Sequence, residues 1–499
     1  MQKRYFVTAV AGLTLLLVTY AAISPGFVYD SLWLDRPTYL AVALLMLADA
    51  LWVFISAGIR SISHSTRRFH GLIALGLLLR LVMIPSTPVF EDDFYRYFLD
   101  GALVTQNLNP YLYTPADAQP IAASASTHFP VIQQLESSHA ISGSDSVVVS
   151  QGYPELVFLE EQKLLERVTY PYIRTIYPPI TQLAFALSHT LAPWSLTAWR
   201  FVLLLIDCLS LVLLVQLLEA LNQKRFFAMV YWLNPIAITE TINAAHMDVL
   251  LLPFLLGAAT LVAKGKHTHA GAALACAVGV KLWPLILAPA IFWPFIRNPA
   301  KLIKSALPFG VISILLLSPQ LLAGINASSG VYVYAQDWQT NAFAFSFFVT
   351  FGHWLSNTLD MSLLDGNQIA RIFTVLLVIC VSLYSLKFIK PVANSNGGAT
   401  AHNIVLPWLI TSSALFLLSP TGYPWYFLWF LPWLAIYPVP ALLLLSITLP
   451  LYDLRFVMQA LGKSDLFDSI VTAIEFLPIF LALAIPRYRR AKPRGELND

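Results

Sequence analysis

Charge is what this sequence has least of. Asp, Glu, Lys and Arg make up 11% of its 499 residues, against about 25% in an ordinary soluble chain, and that shortage excludes an ordinary soluble domain. Cysteine is scarce as well. Cys208, Cys276 and Cys380 each sit inside an apolar run at unrelated spacings, which excludes a zinc or disulfide framework and leaves them as small apolar side chains. An internal repeat of the kind that marks many secondary transporters is also missing. The net charge of +3 decides nothing, because in a membrane chain the placement of Lys and Arg matters more than their sum.

What is present is hydrophobic sequence, 58% of the chain, in repeated runs of about 20 residues, the length that crosses a bilayer as a helix. The expected fold is therefore an all-α polytopic membrane protein with about 12 to 14 transmembrane helices and a large first outer loop carrying surface helices. Four segments are expected. Residues 1–89 hold N-terminal helices; 90–193 form the outer loop, with an amphipathic run from Glu155 to Val168; 194–486 form the main bundle; and 487–499 make a basic tail. The first run, from Tyr5 to Ser24, looks like a signal sequence without a convincing cleavage site and is taken as a retained span.

Positive charge orients the chain. Arg60, Arg67 and Arg68, then Lys224 and Arg225, Lys264 and Lys266, Arg297, Lys301 and Lys304, Lys387 and Lys390, and the tail all fall on one side if Ile180–Leu191 and Phe343–Leu355 dip without crossing. By the positive-inside bias that side, with both termini, is cytoplasmic. Residues 90–193 then face the opposite side, periplasmic if this is the inner membrane of a Gram-negative cell and luminal or extracellular otherwise.

The stretch Glu91–Tyr111, EDDFYRYFLDGALVTQNLNPY, follows the third apolar run directly. Four acidic residues at a membrane exit are costly to keep without a use. Helical spacing lets Asp93, Arg96 and Asp100 share a face. A group transfer from a lipid-linked phosphate to a hydroxyl would use such a set: a carboxylate to take the hydroxyl proton, and cations to hold the departing phosphate. Asp92 or Asp93 fits the first role; Arg96, Arg200, His246 and Lys281 fit the second. Bland alternatives stand beside each. Asp92 or Asp93 can cap the next helix, Arg96 can merely pair with Asp93 or Asp100, and Lys281 can pair with Glu240. Asp207 can bond a neighbouring helix. His246 and Asp248 alone are weak support for a metal site, and neither metal nor cofactor is expected. Substrate contacts are expected from Tyr95, Asp100, Asn109, Tyr177, Asp248, Trp338, Asn341 and Tyr426, although aromatic residues also form ordinary interfacial belts.

Several motifs in order carry a resemblance. Asp92-Asp93-Phe94-Tyr95-Arg96, Asp100 and Asn109-Pro110-Tyr111 are followed by Tyr177-Pro178-Pro179, Asp207 and Trp232-Leu233-Asn234-Pro235. His246-Met247-Asp248-Val249-Leu250, Lys281-Leu282-Trp283-Pro284 and Tyr423-Pro424-Trp425-Tyr426 complete the set. From about Phe90 to Trp433 the chain resembles the GT-C integral membrane glycosyltransferases, nearest the polyprenol-phosphate-mannose-dependent mannosyltransferases, including the GPI mannosyltransferase I group and bacterial relatives. The resemblance implies inverting transfer of a hexose, mannose by preference, from a polyprenyl-phosphate donor to a glycan or glycolipid hydroxyl. It places the essential base on Asp92 or Asp93, with Asp92 favoured. Three spans before the loop instead of one, and a Ser-rich insertion between Thr114 and Val149, depart from the simplest family layout. The expected partners are the donor, the acceptor and membrane lipid, with no nucleic acid. A transporter or flippase of lipid-linked sugars is the alternative, but it would spread polar residues across the bilayer depth, and here they gather on one side. A non-catalytic assembly subunit would tolerate substitution of Asp92 and Asp93.

Overall fold

The computed structural model describes residues 3–59, 65–118, 164, 166–359, 364–389 and 398–486. Arg60, the run 155–163, the Ser-rich stretch 119–150, Lys390 and the 487–499 tail lie outside the described residues. The described residues are overwhelmingly helical and contain no strand, with one isolated bridge between Thr340 and Thr421.

Helices α1 (Lys3–Ile23) and α2 (Thr38–Gly58) form an antiparallel hairpin, and α3 (Thr66–Met83) packs against α1. Ser65 caps α3 by accepting from the Arg68 backbone N–H at 3.4 Å. The Thr87 backbone N–H donates to Ser24 Oγ at 3.1 Å, so the end of α1 and the exit of α3 meet at one end of the bundle. There α4 (Phe94–Thr105) lies against α5 (Pro179–Leu191). Gly101 permits that approach, because a Cβ on it would collide with the Phe185 carbonyl. Helix α5 has 13 residues, about 20 Å at 1.5 Å per residue, short of a bilayer core.

Ser195 starts α6 (Leu196–Ala220), which runs to the other end, where the Arg225 guanidinium reaches Thr66 Oγ1 at 3.1 Å. The chain returns through Pro235–Asn243, bends by 106° and leaves through Met247–Ala263, whose last part is α7 (Leu252–Ala263). Helix α8 (His267–Val280) comes back and stops where Lys281 turns extended. Helix α9 (Pro299–Leu322) follows, then the short α10 (Gly330–Gln336), α11 (Phe343–Thr358) and α12 (Gly366–Ser385), the last opened by an Asp365/Gln368 capping box. Helices α13 (Gly398–Leu418), α14 (Pro440–Thr448), α15 (Leu454–Ala460) and α16 (Thr472–Ala484) close the bundle.

Among the described residues seven helices are long and apolar enough to span a membrane, eight if the bent pair counts as one span. The apolar runs suggest about fourteen crossings. Proline explains the gap: Pro235, Pro253, Pro284, Pro289, Pro424, Pro432, Pro440 and Pro450 sit at starts of short helical pieces, cutting long apolar runs into segments that enter and turn. Breaks free backbone carbonyls in a place without water, and each must find a donor. Buried tryptophans supply several. The indole N–H of Trp52 donates to Val230 O at 2.8 Å, that of Trp199 to Ala245 O at 2.8 Å, and that of Trp408 to Leu287 O at 3.1 Å.

Candidate active site

The fold gathers the expected chemistry at the end where α3 exits. Asp92 and Asp93 occupy the turn into α4, whose first hydrogen bonds run from Tyr95 N to Asp92 O at 3.1 Å and from Arg96 N to Asp93 O at 2.9 Å. Asp93 is the N-cap residue, yet its side chain makes no capping bond. Both carboxylates instead line a cavity of about 820 Å3. Arg96, Lys281, Arg174 and Arg455 line the same cavity, with Asp248, Tyr177, Trp338 and Tyr426 among the other lining residues. Early carboxylates and later cations thus share one chamber.

Each cation is held by its surroundings in a different way. Lys281 Nζ lies 2.7 Å from Asp248 Oδ1 and sits over the rings of Tyr426 and Trp429 at 4.1 and 5.0 Å. The Trp429 indole N–H donates to the same Asp248 oxygen at 2.7 Å. Arg96 gives its Nε to Asp100 Oδ1 at 3.0 Å and its Nη1 to Ile173 O at 2.8 Å, while Thr175 and Gln182 occupy the other Asp100 oxygen. Asp100 therefore orients Arg96. Arg174 donates to the Tyr111 carbonyl at 3.0 Å and to Asn326.

Burial pushes the Asp92 carboxyl up to about 6, offset by a backbone hydrogen bond and the charges of Arg36 and Arg455. Burial, then the charge of Asp92, pushes Asp93 up to about 7 against the pull of Lys281 and Arg455. Asp93 still exposes about a third of its side chain, 34%, into the cavity. Glu91 rises further through burial and accepts from the Tyr452 hydroxyl at 3.2 Å.

Residues 175–297, about a quarter of the chain, match the MptA_B family, described as alpha-(1->6)-mannopyranosyltransferase, N-terminal domain. That segment is thus similar to a mannosyltransferase domain. No curated protein and no solved structure gives a significant match to the chain. Within the matched segment lie Tyr177, Arg200, Asp207, His246, Asp248 and Lys281; Asp92 and Asp93 precede it.

Not every expected residue reaches this chamber. Arg200, expected at the donor phosphate, points into the bundle and donates to the carbonyls of Ile84 and Ser86, each at 2.7 Å, and of Asn243. Three backbone acceptors freed near the α3 exit and the bend consume its fork. His246 lies under Trp425, ring centroids 3.6 Å apart, with Asp93 and Glu240 at 3.8 and 3.6 Å from its two nitrogens. It touches the carboxylate side of the site and does not line the cavity. Asn109 closes a local turn onto Tyr111 N at 3.0 Å, and Asn341 holds Gly422 O and Glu475, both at 2.8 Å. Tyr95 faces the other side of α4, where its hydroxyl accepts from Arg167 at 2.8 Å.

Arg455, Arg174 and Glu91 were not among the expected site residues. Arg455 follows Asp453 by two residues in LPLYDLRFVMQA, at the end of an apolar run, donating to Thr340 Oγ1 at 3.2 Å and to Tyr452. An arginine so placed gives only a weak signal.

Proposed function

We propose that this chain transfers mannose from a polyprenyl-phosphate donor to an acceptor hydroxyl, with inversion, on the non-cytoplasmic side of the membrane. The observation that carries the reading is the shared cavity, lined by Asp92 and Asp93 together with Lys281, Arg96, Arg174 and Arg455. Asp92 takes the proton of the acceptor hydroxyl as its oxygen attacks the anomeric carbon. The bond from that carbon to the phosphate oxygen breaks, and its electron pair leaves with the polyprenyl phosphate. Lys281 and the arginines offset the charge that builds on the phosphate, in a chamber buried enough for each contact to count more than in water. The family that residues 175–297 match forms an α-(1->6) linkage; inversion to an α product requires a β-linked donor.

Sidedness is supported by charge. Arg67, Arg68, Lys224, Arg225, Lys264 and Lys266 sit at helix ends remote from the cavity, as a cytoplasmic face requires. The short α5 begins directly after Pro178 at the cavity, which suits a helix that leaves a lateral opening for a lipid tail.

The test supplies protein in lipid vesicles with β-linked polyprenyl-phosphate-mannose and a mannose oligosaccharide. Wild type should transfer mannose, and Asp92→Asn should lower transfer by about 10²–10⁴, the span of a lost general base. Full transfer by both Asp92→Asn and Asp93→Asn ends the base assignment.

A further inference from the structure

A second cavity, of about 760 Å3, lies beside the first. It is walled by the α1–α2 connection from Phe27 to Leu34 with Arg36, by Thr87–Asp92, and by Tyr95 and Arg167. The two cavities have Trp33, Phe90, Glu91 and Asp92 in common, whereas Asp93 and Lys281 line only the first. Between them stands a stack of Trp33 on Phe456, centroids 4.3 Å apart and 18° from parallel, with Phe90 parallel to Phe456 at 6.0 Å.

We propose that this second cavity is the acceptor subsite and that it takes a neutral oligosaccharide, whose terminal hydroxyl meets Asp92 at the Trp33 partition. The proposal rests on the transferase reading above. An inverting displacement needs its nucleophile and leaving group on opposite faces of the anomeric carbon, and two chambers that share one carboxylate suit that geometry. The first has four cations in its wall for the phosphate. The second has a different chemistry.

Its lining combines aromatic rings and paired charges with aliphatic side chains such as Val28, Leu32 and Leu34. Arg36 lies over the Trp33 ring at 3.8 Å, and Arg167 over Tyr29 at 4.2 Å. Tyr29 meets Tyr95 edge to face at 5.9 Å. Both guanidiniums are engaged: Arg36 donates to Tyr29 O at 2.8 Å and Ser31 O at 2.9 Å, and Arg167 lies 3.7 Å from Asp30. Three carboxylates, Asp30, Glu91 and Asp92, face these two arginines. That balance disfavours an anionic ligand, and five ionisable groups disfavour an alkyl chain. A saccharide suits the wall, since its C–H faces lie on aromatic rings while its hydroxyls bond planar polar groups.

The experiment has a binding arm and a transfer arm. Arg36 shapes its own loop, so the variants are Tyr29→Ala and Arg167→Gln, each required to elute as wild type does from size exclusion. Mannotriose is titrated onto each protein in lipid nanodiscs without donor, and binding is read by saturation-transfer NMR. The expected result is binding to wild type, weakened about tenfold or more in both variants, together with a rise in acceptor KM that exceeds any rise in donor KM. No binding to wild type, or unchanged binding in both folded variants, overturns the subsite. Failure of wild type to transfer mannose from the lipid donor, with binding still lost in the variants, would instead overturn the transferase reading and leave a saccharide site standing.

Discussion

Two acid–base pairs buried in this protein look alike in sequence and differ in what surrounds them. Arg80 on α3 and Asp207 on α6 lie 2.5 Å apart with no exposed surface. Protein encloses them on all sides: Arg80 Nη1 also donates to the carbonyls of Gly76 and Trp232 at 3.1 and 2.8 Å, the guanidinium lies over the Trp232 ring at 3.6 Å with its Nη2 buried and unbonded, and Tyr231 donates to the other Asp207 oxygen. Lys281 and Asp248 are as close, at 2.7 Å, but 21% of the Lys281 side chain opens onto the cavity. A completed pair ties helices together. A pair with one open side can exchange part of its contact for a ligand, and in an apolar bundle that opening separates structure from site more sharply than the presence of charge does.

The largest effect should come from breaking the closed pair. Asp207→Ala strands a buried guanidinium, a loss on the order of 3–5 kcal/mol, and should abolish recovery of monodisperse protein after detergent extraction. Replacing both partners, Arg80→Met with Asp207→Leu, should restore much of that recovery, because the apolar pair leaves no charge unpaired. A double variant no better recovered than the single would show that the pair specifies the helix arrangement itself.

Lys281→Met is expected to do the reverse. Asp248 keeps the Trp429 N–H and gains cavity water, so the protein should extract normally with a melting temperature within a few degrees of wild type. Mannosyl transfer should fall by about 10², the scale of losing one preorganised contact to developing charge. Equal losses of fold and activity would erase the distinction between the two pairs.

The open side is also where pH should act. A general base works deprotonated, so transfer should fall as pH drops, along a one-proton limb near pH 6 if Asp92 is the base, since burial holds it up to about 6. A limb near pH 7 would point to Asp93. In Asp93→Asn the limb should stay near 6. Removing Asp92 takes away a charge that raises Asp93, so in Asp92→Asn any residual activity should titrate lower than pH 7.

How much of this could be read without coordinates follows the same division. The acidic turn at Asp92–Asp93 and the lone Lys281 were legible, because an ionisable group in or beside an apolar run is conspicuous wherever it sits. Asp207 and Arg200 carry the same signal and point into the bundle, toward Arg80 and toward three backbone carbonyls; periodicity shows that a charge is buried and says nothing of what completes it. Arg455 is not conspicuous in LPLYDLRFVMQA, where it follows Asp453 by two residues at the end of an apolar run; only the turn opened by Pro450 shows it reaching the cavity wall. Helix lengths were less legible than helix number, because hydropathy registers an apolar run and not the prolines that break it into short pieces.

Arg96 and Asp100 stand between the two extremes and should give the smallest effect. Their 3.0 Å contact leaves 12% of the Arg96 side chain exposed, and Asp100 is locked from behind by Thr175 and by Gln182 at 3.0 Å. Asp100 touches no cavity surface, so it acts by aiming Arg96 at the position proposed for the phosphate. Asp100→Asn keeps the shape and loses only the charge, while Ile173 O still holds the other arm of Arg96 at 2.8 Å. The expected outcome is a several-fold rise in donor KM with a smaller change in kcat, and an acid limb in the pH profile that does not move. A change in kcat as large as that of Asp92→Asn would instead put Asp100 among the groups that handle the proton, and would turn this half-open pair into part of the reaction itself.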